Sequence, residues 1–362
     1  MNEQSRRQFI IKSTALAAAP LITGVGRAQA QRKLGVALVG LGSLSTNQIA
    51  PALAKTRNCR LAGIVTGTPA KAKEWKAKHN LPDHAIYDYE NMGKMAKNKD
   101  IDIVYVVTPN SLHLPHAQAA AAAGKHVFCE KPLEINTERA QGIVDACKKA
   151  GVQLGVGYRC QFEPNHLECV RLAREKVLGE VRVIDANFGF AIGDPSQWRL
   201  KRDLAGGGSL MDVGIYCLQT ARMLTGEEPV WISAVESKSD NAKFKEVEES
   251  MAWTMRFPSG IVANSISTYG AGGLQGFRAG ATRGWFGLDP AYYYNGNRGR
   301  RSDGPEINIP VADQFATELD DFADCILNKR QTKVSGEMGV SDVKYLMAIY
   351  ESARKGRPVS LA

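Results

Sequence analysis

The fold is decided by residues 34–45, which read LGVALVGLGSLS and join an apolar run to a glycine-rich turn. Leu34–Val39 predicts a buried strand, because the run is apolar and ends at a glycine. Gly40-Leu41-Gly42-Ser43-Leu44-Ser45 follows with the spacing G-x-G-x-x-S. Glycines so placed permit a tight turn and let a pyrophosphate approach the N-terminus of the next helix. The third small residue is serine, yet the order of strand, turn and helix is kept, and we predict a dinucleotide site here.

Downstream of this turn, short apolar runs alternate with helical patterns, which is typical of a parallel sheet covered by helices. We therefore predict an α/β Rossmann dinucleotide-binding domain over residues 31–158. Its predicted strands are Leu34–Val39, Leu61–Thr66, Ile103–Thr108, His126–Cys129 and Val152–Val156, and its predicted helices are Thr46–Lys55, Pro69–His79, His113–Ala123 and Thr137–Ala150.

The pattern changes after residue 158, where consecutive strands without helices between them indicate an antiparallel sheet. We predict an α+β substrate and oligomerisation domain over residues 159–362, with a mostly antiparallel sheet that is open on one face. The predicted strands are Val181–Phe190, Val230–Ser237, Glu249–Phe257, Ile261–Tyr269, Trp285–Leu288 and Tyr292–Tyr294. The predicted helices are Pro164–Lys176, Ser209–Leu224, Phe315–Asn328 and Val340–Lys355, the last well placed to pack on the first domain.

The first thirty residues have the features of a targeting signal. Ser5-Arg6-Arg7-Gln8-Phe9-Ile10 precedes a mildly apolar run, Ala15–Val25, and Ala28-Gln29-Ala30 forms an A-x-A cleavage site. We predict a twin-arginine signal peptide over residues 1–30, and a mature protein that is exported folded to the periplasm. No later run approaches the ~18 apolar residues needed to cross a bilayer, so we expect no membrane partner after cleavage.

Charge and cysteine content exclude other classes of protein. The formal net charge is +9, and its main basic block, Arg298-Gly299-Arg300-Arg301, reads as a solvated loop, so no nucleic-acid partner is expected. The seven cysteines stand singly, without CxxC or histidine at metal spacing. We interpret them as small buried side chains and predict no metal site.

The choice of cofactor depends on the end of the second strand. An NAD enzyme places a carboxylate there for the ribose hydroxyls, whereas this chain has Thr66-Gly67-Thr68 followed by Lys71. Hydroxyls and a lysine would bind a 2′-phosphate, while a carboxylate would repel it. NADP is therefore the predicted cofactor.

Two further strand ends carry polar motifs, and carboxyl ends of parallel strands are where ligands bind in such sheets. The motifs are Thr108-Pro109-Asn110-Ser111-Leu112-His113 and Cys129-Glu130-Lys131-Pro132. Together with the glycine-rich turn they resemble the Gfo/Idh/MocA oxidoreductases. Further stretches are similar to the glucose–fructose oxidoreductase branch of that family: Gly157–Cys160, Gln197–Leu200, Leu204–Asp212, Gly214–Tyr216 and Gly226–Pro229.

The resemblance implies a sugar oxidoreductase with tightly bound NADP and assigns roles to individual residues. Lys131 and Tyr216 would line the nicotinamide and act in catalysis with Asp212, which would hold the sugar. Trp198 and Arg199 would approach the cofactor. The implied cofactor site also includes Tyr87, Pro109, Asn110, His113, Glu130 and Arg159, and the implied substrate site adds Tyr294.

Residue chemistry supports the same cluster. Asp212 and Tyr216 are four apart on a predicted helix and so share a face. Oxidising a sugar hydroxyl requires a base, and tyrosine is a weak one unless a neighbouring cation lowers its pKa. Lys131 is the expected cation. The alternatives are a packed helical tyrosine and an Asp212 that forms a capping box with Ser209.

Export favours an exchange reaction, because a cofactor carried out with the folded protein must be recycled in place. The leading hypothesis is a ping-pong exchange in which one aldose becomes its lactone and a second sugar becomes an alditol. The alternatives are a glycosidase of the same fold, an ordinary dehydrogenase with exchangeable NADP, and a non-catalytic sugar-binding protein. The open sheet face suits a homo-oligomer.

Overall fold

The computed structural model describes residues 32–310 and 313–361, so the predicted signal peptide lies outside the described residues. Within that part of the chain, six parallel strands form a sheet in the order β3-β2-β1-β4-β5-β6. These strands are β1 (Leu34–Val39), β2 (Cys59–Val65), β3 (Ile86–Tyr87), β4 (Ile103–Val106), β5 (His126–Glu130) and β6 (Leu154–Gly157). The order reverses beside β1, as in a doubly wound sheet.

Helices connect these strands. A five-residue π-helical turn, Ser45–Ile49, leads into the short helix α1 (Ala50–Leu53). The others are α2 (Pro69–His79), α3 (His113–Ala122) and α4 (Thr137–Ala150). The helices α2 and α4 have the predicted bounds. Each is followed by a residue in the left-handed conformation, Asn80 and Gly151, which ends the helix there.

A second sheet contains nine strands in the described residues, in the order β14-β13-β12-β11-β7-β10-β9-β8-β15. All neighbours are antiparallel except the pair β7 and β10. The strands are β7 (Val181–Gly189), β8 (Trp231–Ser237), β9 (Ser250–Arg256), β10 (Val262–Thr268), β11 (Leu274–Ala281), β12 (Gly284–Leu288), β13 (Gly299–Arg301), β14 (Glu306–Ile307) and β15 (Val359–Ser360). The helices of this half of the chain are α5 (Pro164–Arg174), α6 (Arg202–Ala205), α7 (Ile215–Thr225), α8 (Gln314–Leu327) and α9 (Gly336–Lys355).

One face of the second sheet carries α7 and the other carries exposed side chains. Residues alternate along the strands, and the outward positions include apolar ones: Val235 is 65% exposed, Ile266 46% and Val183 37%. Large apolar side chains at such exposures on one sheet face are typical of an interaction surface.

Several segments differ from the sequence prediction. The short strands β3, β13, β14 and β15 were not predicted. Leu274–Ala281 is a strand although its glycines weaken the strand pattern, because it pairs with both β7 and β12. Tyr292–Tyr294 was expected to be a strand and is a loop. Its backbone carbonyls bind side chains in place of a neighbouring strand.

The two C-terminal helices pack against the first sheet. The ring of Phe322 in α8 lies 5.0 Å from that of Phe128 in β5, and a Cβ added at Gly336 of α9 would meet Leu154 of β6 at 2.4 Å. The same helix, α9, also contacts β8 of the second sheet. Both sheets accordingly belong to one compact unit.

All seven cysteines are buried and unpaired. Throughout the described ranges, no group of three or more histidine, cysteine, aspartate or glutamate side chains is placed to hold a metal ion. None of the helices seen in residues 32–310 and 313–361 combines the length and apolar character of a membrane span.

Candidate active site

The glycine-rich turn after β1 has the shape that a dinucleotide needs. Gly40 has φ +92°, and a Cβ there would lie 2.8 Å from the carbonyl oxygen of Val107, so the turn requires glycine at this position. Gly42 is exposed and has no protein atom within 4 Å of an added Cβ. The protein itself therefore does not require glycine at position 42, and the bare backbone leaves room for a ligand to approach. Ser43 beside it is exposed, while Leu41 is buried and Leu44 is half-buried.

Lys71 lies at this turn. Its Nζ donates to the carbonyl oxygen of Leu41 at 3.2 Å, which brings a positive charge from α2 to the glycine-rich segment. The Thr66 hydroxyl at the end of β2 accepts from the backbone N–H of Thr68 at 3.2 Å. The segment from the end of β2 to α2 thus combines hydroxyls with a lysine, a chemistry that fits a phosphate on the adenosine ribose.

The predicted catalytic residues Lys131 and Asp212 are in contact. Lys131 Nζ donates to the Asp212 carbonyl oxygen at 2.7 Å and to Asp212 Oδ1 at 3.3 Å. Arg199 Nε and the Tyr269 hydroxyl donate to Asp212 Oδ2, at 2.9 and 3.0 Å. Burial opposes the charge on Asp212, but Arg199, Lys131 and Tyr269 outweigh it and hold the pKa of the carboxyl well below its usual value. Asp212 is therefore an ionised anchor for two cations.

Asp212 reaches this position from a π-helical turn, Leu210–Gly214, that precedes α7. π-Turns often occur at functional sites, and here the turn places Asp212 and Tyr216 around the same lysine. The capping-box interpretation of Asp212 is wrong, because the Ser209 hydroxyl pairs instead with Ser267 at 3.1 Å.

Tyr216 contacts two cations in different ways. Lys131 Nζ lies 4.7 Å from the centroid of its ring, while Arg159 Nε donates to its hydroxyl oxygen at 3.2 Å. Burial raises the pKa of Tyr216, and Arg159 offsets part of that rise. The expected cation was Lys131, so the structure corrects the assignment: Arg159 is the residue that contacts the hydroxyl.

A buried carboxyl pair lies beneath these groups. The Tyr105 hydroxyl is 2.6 Å from Glu130 Oε1 and 3.4 Å from Glu318 Oε1. Burial raises the pKa of Glu130, and burial together with the charge of Glu130 raises the pKa of Glu318 far more. Burial and mutual repulsion thus both favour a protonated carboxyl in this pair.

Several residues predicted around the cofactor are buried supports. His113 is fully buried, and its ring nitrogens contact the carbonyl oxygens of Thr108, Pro132 and Leu133 at 2.9 to 3.2 Å. Asn110 is 4% exposed and donates to the Ala205 carbonyl oxygen at 2.8 Å. These buried residues hold the loops after β4 and β5 in place. Pro109, the residue before Asn110, is half-buried.

Tyr87 is the assigned residue that does not reach the cleft. It is 7% exposed, and its hydroxyl accepts from Asn98, which lies before β4 on the side opposite the carboxyl ends. Its neighbour Tyr89 is 40% exposed and stacks on His116 with ring centroids 4.8 Å apart.

The remaining assigned residues, Trp198 and Tyr294, are both partly exposed to solvent. Trp198 is half-buried, with the Arg199 guanidinium 4.6 Å from its ring. Tyr294 is 42% exposed and lies 4.8 Å from the Arg159 guanidinium. Sequence reasoning missed Tyr269 and Gln314. Tyr269, the residue after β10, binds Asp212, and Gln314 of α8 binds Arg159.

Comparisons with known proteins agree with this architecture. Residues 34–158 match the GFO_IDH_MocA model, described as an oxidoreductase family with an NAD-binding Rossmann fold, and residues 166–287 match the GFO/IDH/MocA C-terminal domain. The chain is 31% identical over 334 residues to D-xylose 1-dehydrogenase [NADP(+)] of Haloarcula marismortui, covering 90% of this chain and 92% of the relative.

A solved structure is also similar. Aldose-aldose oxidoreductase from Caulobacter crescentus, crystallised with glycerol, is 44% identical, with a TM-score of 0.88 over 91% of this chain and 100% of that one. 1,5-Anhydro-D-fructose reductase of Ensifer adhaerens is 27% identical over 332 residues, covering 90% of this chain and 97% of the relative. With models of one family matching both halves of the chain, and a relative 31% identical over 90% of it, the protein belongs to the GFO/IDH/MocA family of nicotinamide-dependent oxidoreductases.

Proposed function

We propose that the protein is an NADP-dependent sugar oxidoreductase that oxidises one aldose to its aldonolactone and reduces a second sugar to an alditol on the same bound cofactor. The convergence of Lys131, Asp212, Tyr216 and Arg159 at the cleft is the observation that carries this proposal. The 44% identity to an aldose-aldose oxidoreductase supports the exchange reaction. When bound, the nicotinamide would supply the acceptor and donor of the electron pair.

Residues of the glycine-rich turn would hold the pyrophosphate, and Thr66 with Lys71 would hold the 2′-phosphate. Among the described residues, Lys131 uses two of its three N–H groups on Asp212. The third can bind the reacting oxygen of the sugar. Asp212 keeps the ammonium in place and, with its lowered pKa, does not take up the proton itself.

Tyr216 would transfer the proton. Its raised pKa keeps the hydroxyl protonated at neutral pH, which suits donation to the carbonyl oxygen of the sugar being reduced. In the oxidation half of the cycle the ionised form of Tyr216, which Arg159 stabilises, takes the proton of the sugar hydroxyl. Each half-reaction thus returns Tyr216 to the state that the other requires.

An ordinary NADP-dependent dehydrogenase is the second candidate, favoured by the identity to a xylose dehydrogenase that uses NADP. The two candidates differ in whether the protein keeps its cofactor bound through the reaction. Protein purified without dialysis should carry dinucleotide, and one aldose alone should give about one equivalent of lactone per site before the reaction stalls. A second sugar should restart it. If turnover needs an excess of free NADP and two sugars never sustain it, the exchange reaction is refuted.

We further propose that the protein is exported folded through the twin-arginine route and acts in the periplasm. The motif around Arg6 and Arg7 and the cleavage site at Ala30 support this location. Fractionation of cells that express the full chain, compared with an Arg6→Lys, Arg7→Lys variant, tests it. Activity that stays in the cytoplasm for both proteins would refute export.

A further inference from the structure

Gln314, the first residue of α8, uses both the oxygen and the nitrogen of its amide and bonds to three residues. It is 1% exposed. Its Oε1 accepts from Arg159 Nη1 at 2.8 Å, and its Nε2 donates to the carbonyl oxygens of Tyr293 at 3.1 Å and Tyr294 at 3.0 Å. A buried amide with both its oxygen and its nitrogen bonded resists displacement, because moving it would leave polar groups unpaired.

Arg159 binds the same loop and the catalytic tyrosine. Its Nη2 donates to the Tyr292 carbonyl oxygen at 2.7 Å and its Nη1 to that of Tyr293 at 3.2 Å, while Nε donates to the Tyr216 hydroxyl. Two side chains thus hold three consecutive carbonyls, and one of the two also contacts Tyr216. Loss of the Gln314 acceptor would free Arg159 to move relative to the phenol.

The loop itself, residues 289–298, is closed at its base and displays two aromatic rings. Asp289 N–H donates to the Arg298 carbonyl oxygen at 2.8 Å, and Arg298 N–H donates to that of Pro290 at 3.1 Å. The Asn297 side chain accepts from Tyr293 N–H at 2.9 Å and donates to its carbonyl oxygen at 3.1 Å. With the backbone fixed, residues Tyr293 and Tyr294 remain 48% and 42% exposed, and one side of the Tyr294 ring packs near Phe315, 5.5 Å between ring centroids.

We propose that Gln314 is a positioning residue that holds Arg159 against Tyr216 and at the same time holds Tyr293 and Tyr294 as a platform for the sugar. Rigid loops that present aromatic rings are common in ligand sites, since the ring contributes apolar area with little loss of side-chain entropy. That the ligand is a sugar rests on the proposed function. Specificity for the sugar and the proton affinity of Tyr216 then depend on one buried amide.

Two variants release the platform without removing the acceptor for Arg159. Gln314→Glu keeps an oxygen for Arg159 but loses both donors to the loop, and Asn297→Ala loosens the loop from the opposite side. Each should raise the KM for the first sugar about tenfold with a saturated rate within about threefold of the parent, because only ground-state positioning changes. Gln141→Glu, on the exposed face of α4, is the charge-matched control.

Gln314→Leu removes the acceptor as well. The saturated rate should now fall, and the pH at which oxidation reaches half its maximal rate should move upward, because a displaced Arg159 no longer stabilises ionised Tyr216. Gln314→Asn, which withdraws the amide by one methylene, gives the same measurement if the leucine variant does not fold. All rates are measured as the single half-reaction of holoenzyme with one sugar, followed by the absorbance of reduced nicotinamide.

An unchanged KM in Gln314→Glu and Asn297→Ala would overturn the platform, and an unmoved pH profile in Gln314→Leu and Gln314→Asn would overturn the link to Tyr216. The half-reaction needs no second sugar. A parent protein that fails to exchange sugars but reduces added NADP would therefore refute the proposed function and leave the inference on Gln314 testable.

Discussion

Tyr216→Phe separates proton transfer from packing. The substitution removes one hydroxyl and keeps the ring, which packs 5.3 Å from Phe188 and 5.7 Å from Tyr292 between centroids. The lost hydrogen bond joins the hydroxyl to Arg159 at 3.2 Å, and Arg159 keeps its bonds to Gln314 and to the loop carbonyls. We expect the free energy of unfolding to fall by ~1–2 kcal/mol, the usual contribution of such a bond.

The rate should fall much further. Loss of a general acid–base group lowers turnover by about two to four orders of magnitude, which corresponds to ~3–5 kcal/mol of activation free energy. The assay is the half-reaction of holoenzyme with saturating aldose, with dinucleotide content and thermal midpoint measured on the same sample.

Tyr292→Phe is the matched control, because it removes a neighbouring buried hydroxyl that pairs with Thr220 at 2.9 Å and not with Arg159. Its turnover should stay within about threefold of the parent, as for a change remote from the reacting atoms. The reasoning is refuted if Tyr216→Phe keeps near-parent turnover, or if both variants lose activity equally.

Three further predictions test the cofactor site, the carboxyl pair and the open sheet face. Lys71→Ala should lower the ratio of NADP to NAD affinity about tenfold, through loss of a charge-assisted contact, and an unchanged ratio in apo-protein titrations would contradict that role. Glu318→Gln should be at least as stable as the parent, with an advantage that grows as the pH rises above the ordinary glutamate value of 4.5. The reason is that the parent must then either ionise a buried group or keep a bound proton that the unfolded chain has released. Each kcal/mol should raise the thermal midpoint by about 2–4 °C, and a stability difference that stays constant from pH 5 to pH 8 would show that the pKa of Glu318 is not raised. We also propose that two copies pair through the exposed face that carries Val183, Val235 and Ile266, so Val235→Lys should shift the sedimentation coefficient toward the monomer, whereas Lys245→Ala, an exposed control outside that face, should not.

The sequence predicted five of the six strands of the first sheet, because they are continuous apolar runs between glycine and polar turns. It missed β3, whose two residues are too few to show a pattern. The second sheet was harder. The strand Leu274–Ala281 contains two glycines, at 276 and 280, and long-range pairing overrides its weak local preference. Tyr292–Tyr294 shows the reverse, since an aromatic run with good strand propensity was held as a loop by side chains distant in sequence.

In the active site, the sequence could indicate only those residues that stand in recognisable motifs. Lys131, Asp212 and Tyr216 stand in motifs with recognisable neighbours, and the structure brings them together. Gln314 and Glu318 stand on an amphipathic helix where a polar residue normally indicates solvent, yet both face the interior. Only tertiary packing could reveal that Arg159, and not Lys131, bonds to the phenol.

The two C-terminal helices also bear on how the chain is synthesised and how it could be re-engineered. The ribosome synthesises β1 to β6 first, but the helices that cover Phe128 and Leu154 follow only with residues 322 and 336. Apolar surface on the nascent first sheet therefore stays exposed to solvent until nearly the whole polypeptide has been synthesised. A chimera cut at residue 158 would keep that surface exposed, whereas one that retains residues 313–361 alongside the first sheet would bury it.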